Sequence, residues 1–187
     1  MRAQWKTAAD LLHIEPAKEV ERITLAIRET VFNQFKRKGV VVGVSGGIDS
    51  SVVAALCTRA LGQDRVLGLF MPEAESSSES LVLGRSLVES LGIRSTLEDI
   101  TPILEAAGCY RRRDDSIRSL IPEYGEGYKC KITLPDLLAE DRYALFSVVV
   151  QSPLGEMKKT RLSLDAYLGI VAASNFKQRT QIGRAHV

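Results

Sequence analysis

Apolar residues recur at helical spacing through Val20, Ile23, Ile27, Val31 and Phe35, which predicts one helix with a single apolar face. Pro16 suits its first turn, and Gly39 ends it. The pattern then changes. Val40 to Val44 is a continuous apolar run rich in β-branched residues, the signature of a strand buried in a parallel sheet. Asp49 to Leu61 predicts a helix closed by Gly62, and Val66 to Met71 a second strand. Ser76 to Glu79 has capping-box spacing, ahead of a helix face marked by Leu81, Gly84, Val88 and Leu91 that stops at Gly92. Ile93 to Ile100 predicts a third, weaker strand, and Thr101-Pro102 starts a short helix ending near Gly108. Strand and helix alternating in this way predict an α/β fold, a parallel sheet with flanking helices and right-handed crossovers. Ligands on such sheets bind outside the carboxyl ends of the strands, where Gly43 to Ser51 lies.

Beyond Gly108 the alternation stops. Tyr110 to Glu126 is polar, carries Arg111 to Arg113 followed by Asp114 and Asp115, and reads as a loop with at most one helical turn. Strands are predicted at Lys129 to Thr133, Leu145 to Gln151 and Lys158 to Ser163, the last two joined by a turn at Ser152-Pro153-Leu154-Gly155. Residues 109–163 therefore read as an insertion with a small antiparallel β sheet. Leu164 to Thr180 returns to helix, with Leu168, Val171 and Ala172 on one face. The last seven residues, 181–187, have no periodicity, interrupt that helix, and correspond to one reading frame through a common sequencing-adapter DNA. They read either as a non-native tail or as a genuine short one. The expectation is one domain over 1–180, truncated at its C-terminus, with 181–187 outside it.

Composition narrows the classes. The chain has 187 residues, 45% of them hydrophobic and 26% charged, which suits a domain with a proper core and argues against disorder. A net charge of +2 suggests neither nucleic acid nor an acidic surface as partner. No stretch approaches the length that spans a membrane, and the N-terminal MRAQWKTAADLL lacks the apolar core of a signal peptide. Cys57, Cys109 and Cys130 are odd in number and show no CxxC spacing, against a disulfide framework or zinc site and in keeping with a reducing cytoplasm. Cys57 falls on the inner face of its helix and reads as core; Cys109 and Cys130 lack a visible activating environment. His13 has no partner pattern, and His186 lies in the tail.

The candidate chemistry is in Gly43 to Ser51, GVSGGIDSS. Strand, tight glycine turn and helix N-terminus together form a cradle for phosphate oxygens. Ser45, Gly46 and Gly47 have no bulk, so phosphate can approach the backbone, and Ser50 and Ser51 add hydroxyls at the helix start. Asp49 has two readings. It caps the helix, or it holds a magnesium ion that shares its other positions with phosphate oxygens. The motif context favours the metal. The Walker-A pattern and the GxGxxG fingerprint are both absent. What remains is adenylation, in which an oxygen attacks the α phosphorus, pyrophosphate leaves into the loop, and a nucleophile then displaces AMP. Such chemistry needs positioning, magnesium and cationic groups rather than a covalent nucleophile.

SGGIDS resembles the PP-loop of the N-type ATP pyrophosphatases. Further along come Leu69-Phe70-Met71-Pro72, Ser76 to Ser80, Leu91-Gly92-Ile93, Asp99-Ile100, and the helix end Asn175-Phe176-Lys177-Gln178-Arg179-Thr180. In this order they are similar to NAD synthetases, over residues 15–108 and 164–180. The resemblance implies ATP-dependent amidation of deamido-NAD to NAD through an acyl-adenylate. It implies ATP binding by Gly43, Val44, Ser45, Gly46, Gly47, Ile48, Asp49, Ser50 and Ser51, with Phe70 and Met71 near the adenine. Asp49 would be the Mg²⁺ ligand and Arg179 a deamido-NAD contact. Ammonia, free or from a separate glutaminase, would be the nitrogen source, and the intact protein a cytoplasmic homodimer with no nucleic-acid or membrane partner. The family continues past this chain to a second magnesium ligand, so a C-terminally truncated fragment is expected to be inactive. Two other readings stand beside this one: another PP-loop ATP pyrophosphatase that thiolates tRNA or inserts sulfur, and a nucleotide-binding module without turnover.

Overall fold

A computed structural model describes residues 14–134 and 146–185. His13, Leu145, His186 and Val187, which entered the sequence reading, lie outside the described residues. The chain divides into two compact units, Met1–Asp99 and Ile100–Val187.

In the first unit, α1 spans Pro16–Arg28 and continues as a π-helical turn, Glu29–Gln34. The turn corrects the expected apolar face. Phe35 N–H bonds to the Thr30 carbonyl at 2.8 Å, one residue farther back than in an α-helix. The extra residue rotates Phe35 out to 65% exposure, while Val31 is buried and Phe32 packs against the core. Strand β1 (Val40–Gly43) leads into α2 (Ile48–Leu61). Strand β2 (Val66–Phe70) follows, then α3 (Ser78–Leu91) and β3 (Arg94–Leu97). The three strands form a parallel sheet in the order β1-β2-β3. Val42, Val44, Val66 and Phe70 join Ala54, Cys57, Ala60 and Val88 of the helices in one core. Val41, which alternates to the opposite side of the sheet, is 44% exposed, so β1 is not covered on both faces there as its apolar run predicts. All four residues of β3 are exposed, consistent with its weak sequence signal.

The cap of α3 is also shifted. Ser77, not Ser76, occupies the N-cap position and accepts from Ser80 N–H at 3.2 Å. Ser76 instead accepts from Glu73 N–H at 3.0 Å. The capping-box spacing is one residue out because three consecutive serines offer the same chemistry.

In the second unit, α4 (Thr101–Ala106) is followed by α5, Cys109–Arg118, where a loop was expected. Polar density hides a buried stripe at Cys109, Ile117 and Ile121. The ion pair of Arg118 with Asp115, at 2.8 Å, lies on the exposed side, whereas that of Arg113 with Asp114, also at 2.8 Å, is largely buried. Strands β4 (Lys129–Thr133), β5 (Ser147–Gln151) and β6 (Met157–Arg161) form the antiparallel sheet in that order. The Ser152 to Gly155 turn closes with Ser152 N–H bonded to the Glu156 carbonyl at 2.8 Å.

Helix α6 runs Leu164–Arg184, four residues beyond the expected end, through good helix formers such as Gln181 and Arg184. Its buried stripe is Ala166, Ile170 and Ala173; Leu168 and Ala172, expected inside, are exposed. Small residues face inward because α5 comes close: a Cβ on Gly169 would meet Ser116 Oγ at 2.1 Å. Val148, Val150, Ile117, Ile121, Tyr124 and Ile170 fill the core between this sheet and its helices.

Candidate functional site

The glycine turn sits where β1 ends. Val44 N–H still bonds across the sheet to the Leu69 carbonyl at 2.9 Å, and α2 starts four residues later. Between them the chain folds onto its own serines. Ser50 Oγ accepts from Ser45 N–H at 3.2 Å and donates to the Gly47 carbonyl at 3.0 Å. Ser45 Oγ lies 3.1 Å from Ser50 Oγ and accepts from Gly47 N–H at 3.3 Å. Ser51 Oγ donates to the Gly47 carbonyl at 2.8 Å. The Ser50 and Ser51 hydroxyls, read from sequence as phosphate donors, are engaged with that of Ser45 in holding the turn.

Gly46 has φ +77°, and a Cβ there would meet the Ser80 carbonyl oxygen at 2.2 Å. The first turn of α3 thus presses on the loop from the side. The sequence reading misses this contact, although the serine run at 76–80 is its signal.

Helix α2 has Gly47 as its N-cap, with no side-chain capping bond. Asp49 is therefore not the cap. It lies in the first turn, exposed, and among the described residues it has no recorded hydrogen-bond or ion-pair partner. The amides of Ile48, Asp49 and Ser50 precede the first intrahelical bond, Ser51 N–H to the Gly47 carbonyl at 3.2 Å, and so have no acceptor within the helix. Three open amides at the positive end of a helix can receive an anion, with one carboxylate at the lip. Among the described residues no group of three His, Cys, Asp or Glu could hold a metal alone. A cation at Asp49 would have to draw its other ligands from elsewhere, as magnesium does from phosphates.

Phe70 ends β2. Its ring is buried against Gly84, and its carbonyl accepts from Glu98 N–H at 2.8 Å. Met71 is half-buried, its terminal methyl close to Gly43. Both therefore stand at the same carboxyl edge as the glycine turn. A hollow of about 680 Å³ lined by Lys38, Val41, Asp64, Arg65 and Arg94 opens at the amino ends of the strands, the wrong edge for a ligand of a parallel sheet. Arg179 is exposed on α6 in the second unit.

None of the three cysteines is in a disulfide. Cys57 is buried in the first core, and burial raises its thiol pKa. Cys109 is buried and donates to the Ala173 carbonyl at 3.3 Å. Among the described residues, no helix is long and apolar enough to cross a membrane.

A family model described as NAD synthase matches residues 19–119. The NH(3)-dependent NAD(+) synthetase of Mesorhizobium japonicum is 52% identical over 169 residues, 90% of this chain and 53% of that protein. The enzyme of the same name from Rhizobium rhizogenes is 47% identical over 174 residues, 93% of this chain and 52% of that protein. Among solved structures, an NH3-dependent NAD synthetase from Campylobacter jejuni, in complex with the nitrate ion, matches 57% of this chain and 49% of its own at 33% identity and TM-score 0.47. The chain spans about half the length of the relatives it matches.

Proposed function

The chain belongs to the NAD synthase family, and from that premise we propose that it carries the ATP-binding part of a ligase that amidates deamido-NAD to NAD. The nicotinate carboxylate attacks the α phosphorus of ATP, pyrophosphate departs into the glycine turn, and ammonia displaces AMP from the acyl-adenylate. The observation that carries this reading is the glycine turn itself: open amides at Ile48, Asp49 and Ser50, a Gly46 with no room for a side chain, and an exposed carboxylate at Asp49 that is unpaired among the described residues.

Within this reading, Gly43 to Ser51 bind the ATP phosphates, and Phe70 and Met71 lie on the adenine side. Asp49 holds the magnesium ion, which when bound would neutralise charge on the departing pyrophosphate. Arg179 meets an anionic part of deamido-NAD. Ammonia as nitrogen donor follows the names of the relatives. A cytoplasmic homodimer is part of the same proposal, and three cysteines outside any disulfide agree with a reducing compartment.

Pyrophosphate release from ATP, measured with ammonium and with or without deamido-NAD, tests the proposal. In a chain extended to the length of its relatives, release that depends on deamido-NAD is the expected result; residues 1–187 alone, which span about half that length, are expected to give no turnover. Release independent of it would point to another PP-loop pyrophosphatase. Magnesium-dependent ATP binding with no release under either condition would leave a nucleotide-binding module without turnover.

A further inference from the structure

The near-neutral balance of the whole chain hides a segregation in the second unit. Cys130, Ile132, Val148 and Val150 alternate toward the core. The residues between them point the other way: Lys129, Lys131 and Thr133 on β4, Ser147, Val149 and Gln151 on β5, Met157, Lys159 and Arg161 on β6. Four of these nine are cations, and none is an acid. Lys158, on the inward side, has a carboxylate partner in Glu123. Lys129, Lys131, Lys159 and Arg161 are exposed and have no recorded carboxylate partner among the described residues.

Register fixes their arrangement. Lys131, Val149 and Lys159 share one row across the sheet; Thr133, Ser147 and Arg161 share the next, and Lys129, Gln151 and Met157 the one before. The cations therefore stand on the two outer strands, roughly 10 Å apart, with the short or uncharged side chains of β5 between them. Along each outer strand they repeat at about 7 Å, every second residue.

We propose that this face docks an extended acidic segment of a partner protein, with Asp or Glu at alternate positions. An extended chain places alternate side chains at the same spacing of about 7 Å on one side, so its carboxylates match the repeat of the lysines. Charge complementarity supplies encounter rate and register. A single-stranded nucleic acid fits less well, because sequence-tolerant binding of that kind uses aromatic side chains to stack bases, and the face has none.

Fluorescence anisotropy on the 187-residue chain decides between these occupants. The probes are a labelled peptide with Glu alternating with Thr, a peptide of the same composition with its glutamates contiguous, and a single-stranded oligonucleotide of equal charge. The alternating peptide is expected to bind at least tenfold tighter than the other two, and to weaken as salt rises. K131E/K159E should abolish its binding while leaving the thermal midpoint unchanged, and K36E/K38E, on the first unit, should leave binding intact. Equal binding of the two peptides, tighter binding of the oligonucleotide, or no binding of the alternating peptide would each overturn the proposal.

Discussion

Two glycines with positive φ separate strain from contact. Gly46 has φ +77° and the Ser80 carbonyl against it; Gly62 has φ +87° and nothing within 4 Å of a Cβ. Gly62, with ψ 153°, lies in an extended positive-φ region essentially restricted to glycine, so Gly62→Ala should cost that backbone strain alone, about 1–3 kcal/mol. Gly46→Ala should cost more, because backbone rather than a flexible side chain must move, and ATP affinity should fall with it. Denaturant midpoints of the two variants check the order, and equal losses would mean that α3 does not bear on the loop. Asp49→Asn tests a different role. Since Gly47 is the cap, stability should change by no more than about 0.5 kcal/mol, as for other exposed sites. Magnesium-dependent ATP binding should drop by at least the roughly tenfold that lost outer-shell metal partners cost. Titrations with and without magnesium separate the two effects, and unchanged binding in magnesium would sink the ligand assignment.

At the level of elements, legibility follows how much each depends on distant packing. Strands β1 and β2 and helices α2 and α3 are readable because their apolar runs and terminal glycines are local signals; β3, Arg94–Leu97, has no such run. Helix α5 is not readable, because its buried positions Cys109 and Ile117 are diluted by charged residues, of which Asp115 and Arg118 are brought together by the helical spacing itself. The α6 face is misread because alanines, chosen for close approach to α5, signal less apolarity than the exposed Leu168. Within the glycine turn, the serine and glycine types are legible in sequence; the Ser80 contact and the uncapped Asp49 are not, since both depend on the position of the next helix and on which residue starts α2. Capping gives a direct test. Ser77→Ala should destabilise the first unit by about 1 kcal/mol, read as a lower melting temperature, and should weaken ATP binding because the same turn abuts Gly46. A melting change with unaltered ATP affinity would disconnect the two. In the second unit, the hydrogen bond from Lys158 holds the Glu123 carboxyl below its ordinary pKa, with a further contribution from the Glu123 backbone. A depressed acid contributes stability above its unfolded pKa and loses it as pH falls through the folded value. Acid titration of stability should therefore be shallower in Lys158→Met over that range, and superimposable curves would show the pair to be inert.

For the whole molecule, the sheet order leaves β1 bonded to β2 alone among the described residues, with Val41 exposed beside it. Unpaired strand edges next to apolar surface recruit other strands. The 187-residue chain should self-associate with rising concentration, and Val41→Lys should reduce this without lowering the melting temperature; unchanged light scattering would locate the association elsewhere. The contact between Gly46 and Ser80 also bears on the order in which the chain acquires its shape. The glycine turn is synthesised well before Ser80, and it has no lateral support until β2 has paired and the first turn of α3 has closed. On the ribosome, where N-terminal parts fold first as they emerge, nascent chains ending before Ser80 would carry every residue of the proposed phosphate cradle and still lack its form. The proposed capacity to hold nucleotide would then arrive late and abruptly, with the emergence of a serine outside the motif.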